Sequence, residues 1–446
     1  MSTWIILGLA TILRLVYLNQ SLWLDESIQA LALMGKLGPL LIYALSDYQP
    51  PLYHFIAYAF NHLLGYSEIV LRLPSFFTGI LTVYFVVKIG ELLNSKRTGL
   101  IAGLLAATNP LLIYYSQEGR TYAMTTFFVT ASFYYFIQIL KEKNDQPPAS
   151  RQGGSTIYYL LSTTAFLWTS YLSWFLLLAQ GIYALYKKRY DLILVQCLAG
   201  FTLLTWLPSL IPSLAIGRST LQTSPEWGRV VGALSWKSLP LTWVKFVIGR
   251  IGFDNKILYG AIVATLGLFH LSILKQVNYK KYPVLILWIL PPIILSLVTA
   301  IFLPVYSYFR LLFVLPAYLL LLAIGSQKLS KVVILSNIIF LAIFWFSPRF
   351  HHEDWRSLVH DLPTGATLAI PSRAQSAPLL YYSVTQSILE PSHEKLVGNP
   401  VYYLRYAEDL FDPNHLGQAN FATSGYTITS QKVYAGLQLD IYENSH

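Results

Sequence analysis

The chain contains 446 residues, of which 55% are hydrophobic and 12% are charged, against roughly 25% charged residues in an ordinary soluble domain. This composition predicts an integral membrane protein, and the long, non-alternating apolar runs exclude a transmembrane β-barrel. Up to Ser347 there are 25 basic and 11 acidic residues, whereas 6 basic and 10 acidic residues follow it. A basic membrane region favours anionic lipid headgroups and lipid-linked ligands as partners rather than nucleic acid.

Eleven apolar segments are predicted to cross the membrane as helices. Each is long enough to span roughly 30 Å of hydrocarbon at about 1.5 Å per residue. The region from Thr156 to Tyr186 is too long for one span, so we divide it into two short helices at a turn near Ser170 to Ser173. The other nine segments lie near residues 4–19, 73–93, 99–115, 122–140, 191–213, 257–274, 283–303, 311–325 and 332–346.

Basic residues in alternate loops, such as Lys187, Lys188 and Arg189, predict which loops are cytoplasmic. With eleven spans the N-terminus is then cytoplasmic, and the outer loops are residues 19–72 and 216–256. Short apolar stretches within residues 19–72 predict surface helices. We therefore expect a polytopic helical membrane region over residues 1–347 and a small extracytoplasmic domain over residues 348–446, in a prokaryotic plasma membrane.

The segment after Ser347 has the composition of a soluble α/β domain. It is predicted to contain a helix over residues 354–362, a buried strand over 366–371, a helix over 376–384 and a strand pair within 426–443. It has no glycine-rich phosphate loop. The run from His351 to Asp354 lacks the i, i+4 histidine spacing of a helical metal site, and Asp354 is well placed to cap a helix instead.

Asp25 and Glu26 are adjacent carboxylates just beyond the first predicted span. Carboxylates at a membrane surface are costly unless they are solvated, paired or functional. One interpretation is a solvated loop pair. The other is a general base that deprotonates an acceptor hydroxyl or amine, or a pair of ligands for a divalent metal ion.

Two further outer segments carry polar and aromatic residues. In the first, Pro50 and Pro51 precede Tyr53 and His54, which is typical of either a capped turn or a binding site. The second joins two spans and carries the residues Glu118, Arg120 and Tyr122. Glu118 and Arg120 could form an ion pair at the helix ends, or Arg120 could contact a phosphate or sugar while the tyrosines stack on sugar faces.

Arg72 and Arg310 lie at the outer ends of two predicted spans, each within apolar sequence. A guanidinium group offers a fork of donors that suits a phosphate oxyanion. Reaching to lipid headgroups is the alternative. Both arginines, the carboxylates and the basic loop of residues 216–256 are predicted on the same face of the membrane, which favours one shared anionic ligand.

Taken together, these segments resemble the GT-C class of membrane glycosyltransferases, in particular the protein O-mannosyltransferases and the lipid A aminoarabinose transferases. The matching motifs occur in the expected order and are Trp23-Leu24-Asp25-Glu26, Gln49-Pro50-Pro51-Leu52-Tyr53, Leu71-Arg72-Leu73-Pro74-Ser75, Tyr115-Ser116-Gln117-Glu118-Gly119-Arg120-Thr121-Tyr122-Ala123, Arg310 with Pro316, and Glu353-Asp354-Trp355-Arg356.

The resemblance implies transfer of a sugar from a polyprenyl-phosphate donor to a lipid, glycan or protein acceptor on the outer face, with inversion at the anomeric carbon. It implies that Asp25 is the base, with Glu26 beside it, and that Arg72 and Arg310 contact the donor phosphate. Glu118, Arg120, Tyr53, His54 and Tyr122 complete the expected substrate site. No cofactor is required, although a divalent metal ion could assist.

Two features depart from these relatives. The turn between the fifth and sixth helices reads Thr169-Ser170-Tyr171-Leu172-Ser173 where relatives often carry histidine, and the C-terminal domain lacks a β-trefoil-sized insertion. Two other functions stay open. A transporter or flippase of lipid-linked sugars would have inverted repeats, and no repeat is evident. A non-catalytic lipid-phosphate-binding scaffold would not need Asp25.

Overall fold

The computed structural model describes residues 2–141, 152–212, 232–384 and 387–444. The part before Ser347 is helical. Its principal helices are α1 (Thr3–Leu15), α2 (Leu24–Met34), α3 (Leu37–Ser46), α4 (Leu52–Leu64), α5 (Glu68–Leu93), α6 (Lys96–Thr108), α7 (Pro110–Ser116), α8 (Tyr122–Lys141), α9 (Gln152–Leu167), α10 (Trp174–Tyr186), α11 (Tyr190–Phe201), α12 (Ser238–Ile248), α13 (Lys256–Leu274), α14 (Pro283–Ala300), α15 (Leu315–Gly325) and α16 (Gln327–Phe346).

Within these described ranges, five helices are long and apolar enough to cross a membrane, namely α5, α8, α13, α14 and α16. The bent pair α6–α7 would make a sixth span. Six shorter apolar segments of 10–17 residues accompany them. The predicted membrane character is therefore present, whereas the predicted number of eleven spans is not confirmed.

Several sequence predictions match individual elements. The long segment of residues 156–186 is divided as expected, because α9 ends at Leu167 and a 3₁₀ turn over Tyr171–Ser173 precedes α10. The loop of residues 19–72 contains the short helices α2, α3 and α4 rather than extended chain. Of the basic residues in the second outer loop, Arg218 and Arg229 lie outside the described residues.

The chain divides into two compact units. The first contains Met1–Leu18, Leu41–Phe60 and Arg72–Phe344, and we call it the helical unit. The second contains Asn19–Leu40, Asn61–Leu71 and Trp345–His446, and we call it the mixed unit. The mixed unit thus combines α2 and parts of the first outer loop with the C-terminal α/β sequence.

In the helical unit, α5 and α6 form a closely packed antiparallel hairpin. Ser95 begins α6, because its hydroxyl accepts a hydrogen bond from the backbone N–H of Thr98 at 3.2 Å. A Cβ atom added at Gly90 would lie 2.6 Å from the Cα of Gly99. Glycine at this crossing lets the two helix backbones meet, as in other membrane helix pairs.

The α6–α7 pair bends by 61° at Asn109 and Pro110. Pro110 has no N–H, so it cannot bond to the carbonyl of Ala106 as a continuing helix would. The side chain of Asn109 caps α7 by accepting from the N–H groups of Leu111 and Leu112 at 3.0 and 3.1 Å. The break therefore leaves carbonyl groups at the end of α6 that need other donors.

Arg14 of α1 supplies those donors. Its side chain is fully buried. Its Nη1 donates to the carbonyl of Ala107 at 3.2 Å, its Nη2 to that of Ala106 at 3.4 Å, and its Nε to the hydroxyl of Ser116 at 3.1 Å. Carbonyl groups in hydrocarbon must be paired within the protein, so Arg14 stabilises the bent geometry of α6 and α7.

The C-terminal part of the mixed unit contains the predicted α/β domain. Its described helices are α17 (Trp355–His360), α18 (Ala377–Tyr381), α19 (Glu408–Phe411) and α20 (Leu416–Thr423), and its strands are β1 (Thr367–Ala369), β2 (Ile388–Leu389), β3 (Val401–Arg405), β4 (Tyr426–Tyr434) and β5 (Leu437–Asn444). The five-stranded sheet has the order β2-β1-β3-β5-β4. β1 is parallel to β2 and β3, whereas β5 is antiparallel to β3 and β4.

Each face of this sheet carries a small core, to which alternate strand residues contribute, whereas β4 is exposed over most of its length. Leu368 and Leu404 pack on one face with Trp355 of α17. Tyr403 packs on the other face with Phe421 of α20. The domain is thus a helix-covered sheet with two small cores.

We expect Arg14→Met to destabilise the protein by roughly 2–4 kcal/mol, because it removes a charged donor from several buried carbonyl groups. Thermal unfolding of the purified protein in detergent measures this. Arg97→Met on the exposed end of α6 is the matched control and should leave the unfolding temperature unchanged. Equal stability of both variants would show that the α6–α7 bend does not depend on Arg14.

Candidate functional site

The carboxylates of Asp25 and Glu26 lie in the first turn of α2, which follows Trp23 at the N-cap. Negative charge is favoured at a helix N-terminus by the unpaired N–H groups there. Glu26 is fully buried, whereas Asp25 is partly exposed. Adjacent helix positions diverge by about 100°, so the two carboxylates face different surroundings.

A tyrosine and a second acidic residue lie near Asp25 within the mixed unit. The hydroxyl of Tyr406 donates to Oε1 of Glu353 at 3.3 Å. Burial, together with the negative charges of Glu353 and Asp25, raises the pKa of Tyr406 well above its usual value. Tyr406 therefore stays protonated as a hydrogen-bond donor. Its ring lies edge-on to Trp355, with centroids 5.1 Å apart.

The segment that leads into α2 is held by Tyr382 of the C-terminal sequence. The hydroxyl of Tyr382 accepts the backbone N–H of Leu22 at 2.9 Å and contacts the hydroxyl of Ser21 at 3.3 Å. The same hydroxyl donates to Oε1 of Glu68 at 3.0 Å. Tyr382 thus fixes the backbone three residues before Asp25.

Arg356 strengthens the same network. Its Nη2 lies 2.6 Å from Oε1 of Glu68 and 3.3 Å from the carbonyl oxygen of Asn19. Its backbone N–H donates to the hydroxyl of Ser21 at 3.2 Å. Arg356 belongs to one of the quoted sequence motifs, and its contacts give that motif a structural role.

In the helical unit, His54 forms a buried pair with Asp47. The Nε2 atom of His54 lies 2.9 Å from Oδ2 of Asp47. Burial alone would raise the pKa of Asp47, but the contact with His54 and the positive charge of Arg120 outweigh it and lower the pKa to about 2. Asp47 therefore carries a negative charge at neutral pH, in direct contact with His54.

Tyr53 and Arg120 are linked through Ser75 of α5. The hydroxyls of Tyr53 and Ser75 lie 3.2 Å apart, and Ser75 donates to the carbonyl of Arg120 at 3.0 Å. The Arg120 N–H donates to the carbonyl of Glu118 at 2.8 Å, so the short loop after α7 is tightly turned. Glu118 is buried, whereas Arg120 is partly exposed.

Arg310 and Tyr122 meet at an aromatic cluster in the same unit. The rings of Tyr122 and Phe309 are 5.1 Å apart, and each packs against Tyr115. The guanidinium group of Arg310 lies 5.8 Å from the Phe309 ring centroid, and its Nη1 donates to the carbonyl of Pro304 at 3.2 Å. This cluster offers both a cation and flat rings.

Arg72 is fully buried in α5, and its Nη1 donates to the carbonyl of Leu18 at 2.9 Å. The helical unit therefore contains seven of the nine predicted site residues: Tyr53, His54, Arg72, Glu118, Arg120, Tyr122 and Arg310. Asp25 and Glu26 belong to the mixed unit.

Sequence reasoning missed three residues of these clusters. Ser75 lies inside a quoted motif and Asp47 lies two residues before one, but a sequence does not show which polar residue of a segment contacts which partner. Arg250 donates to the hydroxyl of Tyr114 and lies 4.6 Å from its ring centroid. The sequence did indicate that Arg250 has a special role, because it lies in a predicted outer loop, and the outer loops of membrane proteins usually carry few basic residues.

Comparisons with known proteins agree with these motifs. The sequence model of the dolichyl-phosphate-mannose-protein mannosyltransferase family matches residues 48–216. No curated protein sequence matches the chain significantly.

Solved structures resemble almost the whole chain. ArnT from Cupriavidus metallidurans bound to undecaprenyl phosphate has 10% identity and a TM-score of 0.55, over 98% of this chain and 97% of ArnT. The oligosaccharyltransferase AglB from Archaeoglobus fulgidus, in complex with an inhibitory peptide and a dolichol-phosphate, has 13% identity and a TM-score of 0.54, over 100% of this chain and 74% of AglB. The fold is similar to that of ArnT and AglB, which are GT-C glycosyltransferases. The resemblance predicted from the motifs is thereby confirmed.

Another structure of the archaeal oligosaccharyltransferase is a complex with Zn and sulfate, with 12% identity and a TM-score of 0.54 over 97% of this chain and 73% of that one. In the part of this chain that the structure describes, no group of three or more His, Cys, Asp or Glu side chains could hold a metal ion. The residues described around Asp25 thus do not fit a protein-only metal site.

The low pKa of Asp47 predicts acid sensitivity. Because folding lowers this pKa from 3.8 to about 2, the associated stability is present above about pH 4 and is lost as the pH falls towards 2. On acidification, the free energy of unfolding should fall by roughly 2 kcal/mol less in Asp47→Asn than in the wild type. Unfolding in detergent at pH 5 and pH 2.5 measures the difference.

Asp409→Asn is the control for that measurement, because the Asp409 side chain is 98% exposed. This variant should lose stability with acid just as the wild type does. If Asp47→Asn also retains the full acid-induced loss, the Asp47–His54 pair does not stabilise the folded helical unit.

Proposed function

We propose that this protein is a glycosyltransferase that moves a sugar from a polyprenyl-phosphate donor to an acceptor on the outer face of the membrane. The observation that carries the proposal is the coincidence of a GT-C fold with three arginines in one compact unit, Arg72, Arg120 and Arg310. Arg310 lies beside the ring of Phe309, which packs against Tyr122. Guanidinium groups suit a lipid phosphate. Aromatic rings suit the apolar faces of sugars.

In the proposed reaction, an acceptor oxygen or nitrogen attacks the anomeric carbon of the donor sugar. The new bond forms as the bond from that carbon to the phosphate oxygen breaks, and polyprenyl phosphate leaves. Arg72 and Arg310 stabilise the negative charge that develops on the leaving phosphate. A single displacement inverts the anomeric carbon and needs no covalent enzyme intermediate.

Asp25 is the proposed base, which takes the proton from the acceptor. Its partial exposure supports this choice over Glu26, which is fully buried. A carboxylate held in a helical turn is positioned for proton transfer. Glu26 is proposed to act beside it within the same turn.

Glu118, Arg120, Tyr53, His54 and Tyr122 are proposed to hold the donor headgroup. The Asp47–His54 contact and the Tyr53–Ser75 hydrogen bond support this, because they fix two of these side chains before any ligand arrives. We further propose a cytoplasmic N-terminus, an extracytoplasmic C-terminal domain and a prokaryotic plasma membrane as the location. The acceptor is proposed to be a lipid, glycan or protein.

The base assignment predicts that Asp25→Asn lowers turnover by about 100-fold or more, because general-base catalysis contributes about 10²–10⁴ in rate. Donor affinity should change by less than about threefold. The measurement is release of free polyprenyl phosphate from a panel of polyprenyl-phosphate sugars by the purified protein in detergent, with cell-envelope extract as the acceptor source. Asp361→Asn in the C-terminal domain is the control and should keep normal turnover.

Full turnover by Asp25→Asn would show that Asp25 is not the base. If the wild type binds the donors but releases no lipid phosphate with any acceptor source, the transferase proposal fails. The flippase and scaffold alternatives would then account for donor binding.

The proposed contact between Arg310 and the donor phosphate predicts a loss of binding rather than a loss of turnover. Arg310→Ala should weaken binding of polyprenyl phosphate itself by about 10- to 100-fold, since charge-assisted hydrogen bonds contribute about 1.5–3 kcal/mol. Titration of the lipid phosphate against the detergent-solubilised protein measures this. Arg97→Ala is the control. Unchanged affinity in Arg310→Ala would remove Arg310 from the donor site.

A further inference from the structure

Gln29 of α2 is a buried polar residue that no contact explains. Its side chain is fully buried. Neither its Oε1 nor its Nε2 has a hydrogen-bond partner among the residues that the structure describes. A primary amide can donate two hydrogen bonds and accept two, and burying such a group unpaired is costly.

Two other buried glutamines are paired. Gln180 accepts from the hydroxyl of Tyr159 at 3.0 Å and lies 3.3 Å from the hydroxyl of Ser132. Gln196 donates to the hydroxyl of Tyr159 at 2.8 Å. In Gln49 the Oε1 atom lacks a partner, but among the described glutamines Gln29 alone has both amide atoms buried and unpaired.

Gln29 lies close to the proposed base along α2. It follows Asp25 by four residues and Glu26 by three, so it lies one turn further along α2. Positions four apart on a helix differ by about 40° in direction and about 6 Å in height. A small molecule with its reacting group at Asp25 therefore has a second polar group within reach of Gln29.

The amide chemistry narrows the class of ligand. A phosphate oxygen only accepts and would leave Oε1 unpaired, whereas an ammonium group only donates and would leave Nε2 unpaired. A hydroxyl both donates and accepts. Neighbouring hydroxyls on a sugar ring can satisfy both ends of one amide.

We propose that Gln29 is a specificity-determining residue whose amide hydrogen bonds to hydroxyl groups of a carbohydrate bound next to Asp25. This inference rests on the proposed transferase function. The carbohydrate is either the sugar that is transferred or a sugar of the acceptor, and the chemistry of recognition is the same for both.

Gln29→Leu tests the proposal, because its effect on the unfolding temperature should differ from that of replacing a glutamine with a structural role. Replacing an unpaired buried amide by an apolar group of similar size should leave the unfolding temperature unchanged or raise it. Gln180→Leu is the matched control and should lower the unfolding temperature, because it removes one hydrogen-bond partner from each of the buried hydroxyls of Tyr159 and Ser132.

Binding and kinetic measurements distinguish whether Gln29 contacts the transferred sugar or a sugar of the acceptor. The probes are polyprenyl phosphate alone and the polyprenyl-phosphate sugars of the donor panel. If Gln29 contacts the transferred sugar, Gln29→Leu should weaken binding of a cognate lipid-linked sugar about tenfold or more and leave polyprenyl phosphate unaffected. If Gln29 contacts the acceptor, both affinities stay normal and the KM for the acceptor rises by a similar factor.

The inference is overturned if Gln29→Leu lowers the unfolding temperature as Gln180→Leu does, since Gln29 would then have a structural partner. It is also overturned if donor affinity, acceptor KM and turnover all match the wild type. Absence of transfer by the wild type itself would instead defeat the proposed function. In that case, equal affinities of wild type and Gln29→Leu for every lipid-linked sugar would reject the role of Gln29 as well.

Discussion

The helical unit depends on one constraint, which is that every backbone carbonyl in a low-dielectric interior needs a donor. The break at Asn109 and Pro110 violates this constraint locally, and the fully buried Arg14 restores it through the carbonyls of Ala106 and Ala107. An arginine that is fully buried in a short apolar helix is costly by itself. Here it is retained because it replaces the hydrogen bonds that proline removes.

The same pairing requirement positions the candidate site. The carbonyls at the end of α1 are satisfied by side chains from other elements: Gln117 donates to the carbonyls of Arg14 and Val16, and Arg72 donates to that of Leu18. Gln117 begins the loop that carries Glu118 and Arg120. These hydrogen bonds hold the loop after α7 and the N-terminal part of α5 at the end of α1. The residues proposed to bind the donor are therefore positioned by hydrogen bonds of the fold itself.

Features that depend on local composition are predicted well from the sequence. Features that depend on contacts between residues far apart in the chain are predicted poorly. Membrane character, the division near Ser170 and the strand pair within residues 426–443 follow from hydropathy, turn residues and alternation. The eleven spans were not confirmed because hydropathy does not measure helix length, and breaks such as the one at Pro110 shorten the helices. The short strand β3 was missed because five residues carry little periodicity. The Asp47–His54 pair depends on which way a turn folds back, which no local pattern specifies.

Within the mixed unit, the C-terminal domain is structurally tied to the segment that carries the proposed base. The hydroxyl of Tyr382 accepts a hydrogen bond from the N–H of Leu22, and Arg356 contacts both Ser21 and Glu68. Proton transfer tolerates displacements of only about half an ångström, so the backbone leading to Asp25 has to be fixed. A loop of small helices has little core of its own with which to do so. The α/β domain has two packed cores and provides side chains that hold this loop. If Asp25 acts as the proposed base, these contacts orient its carboxylate.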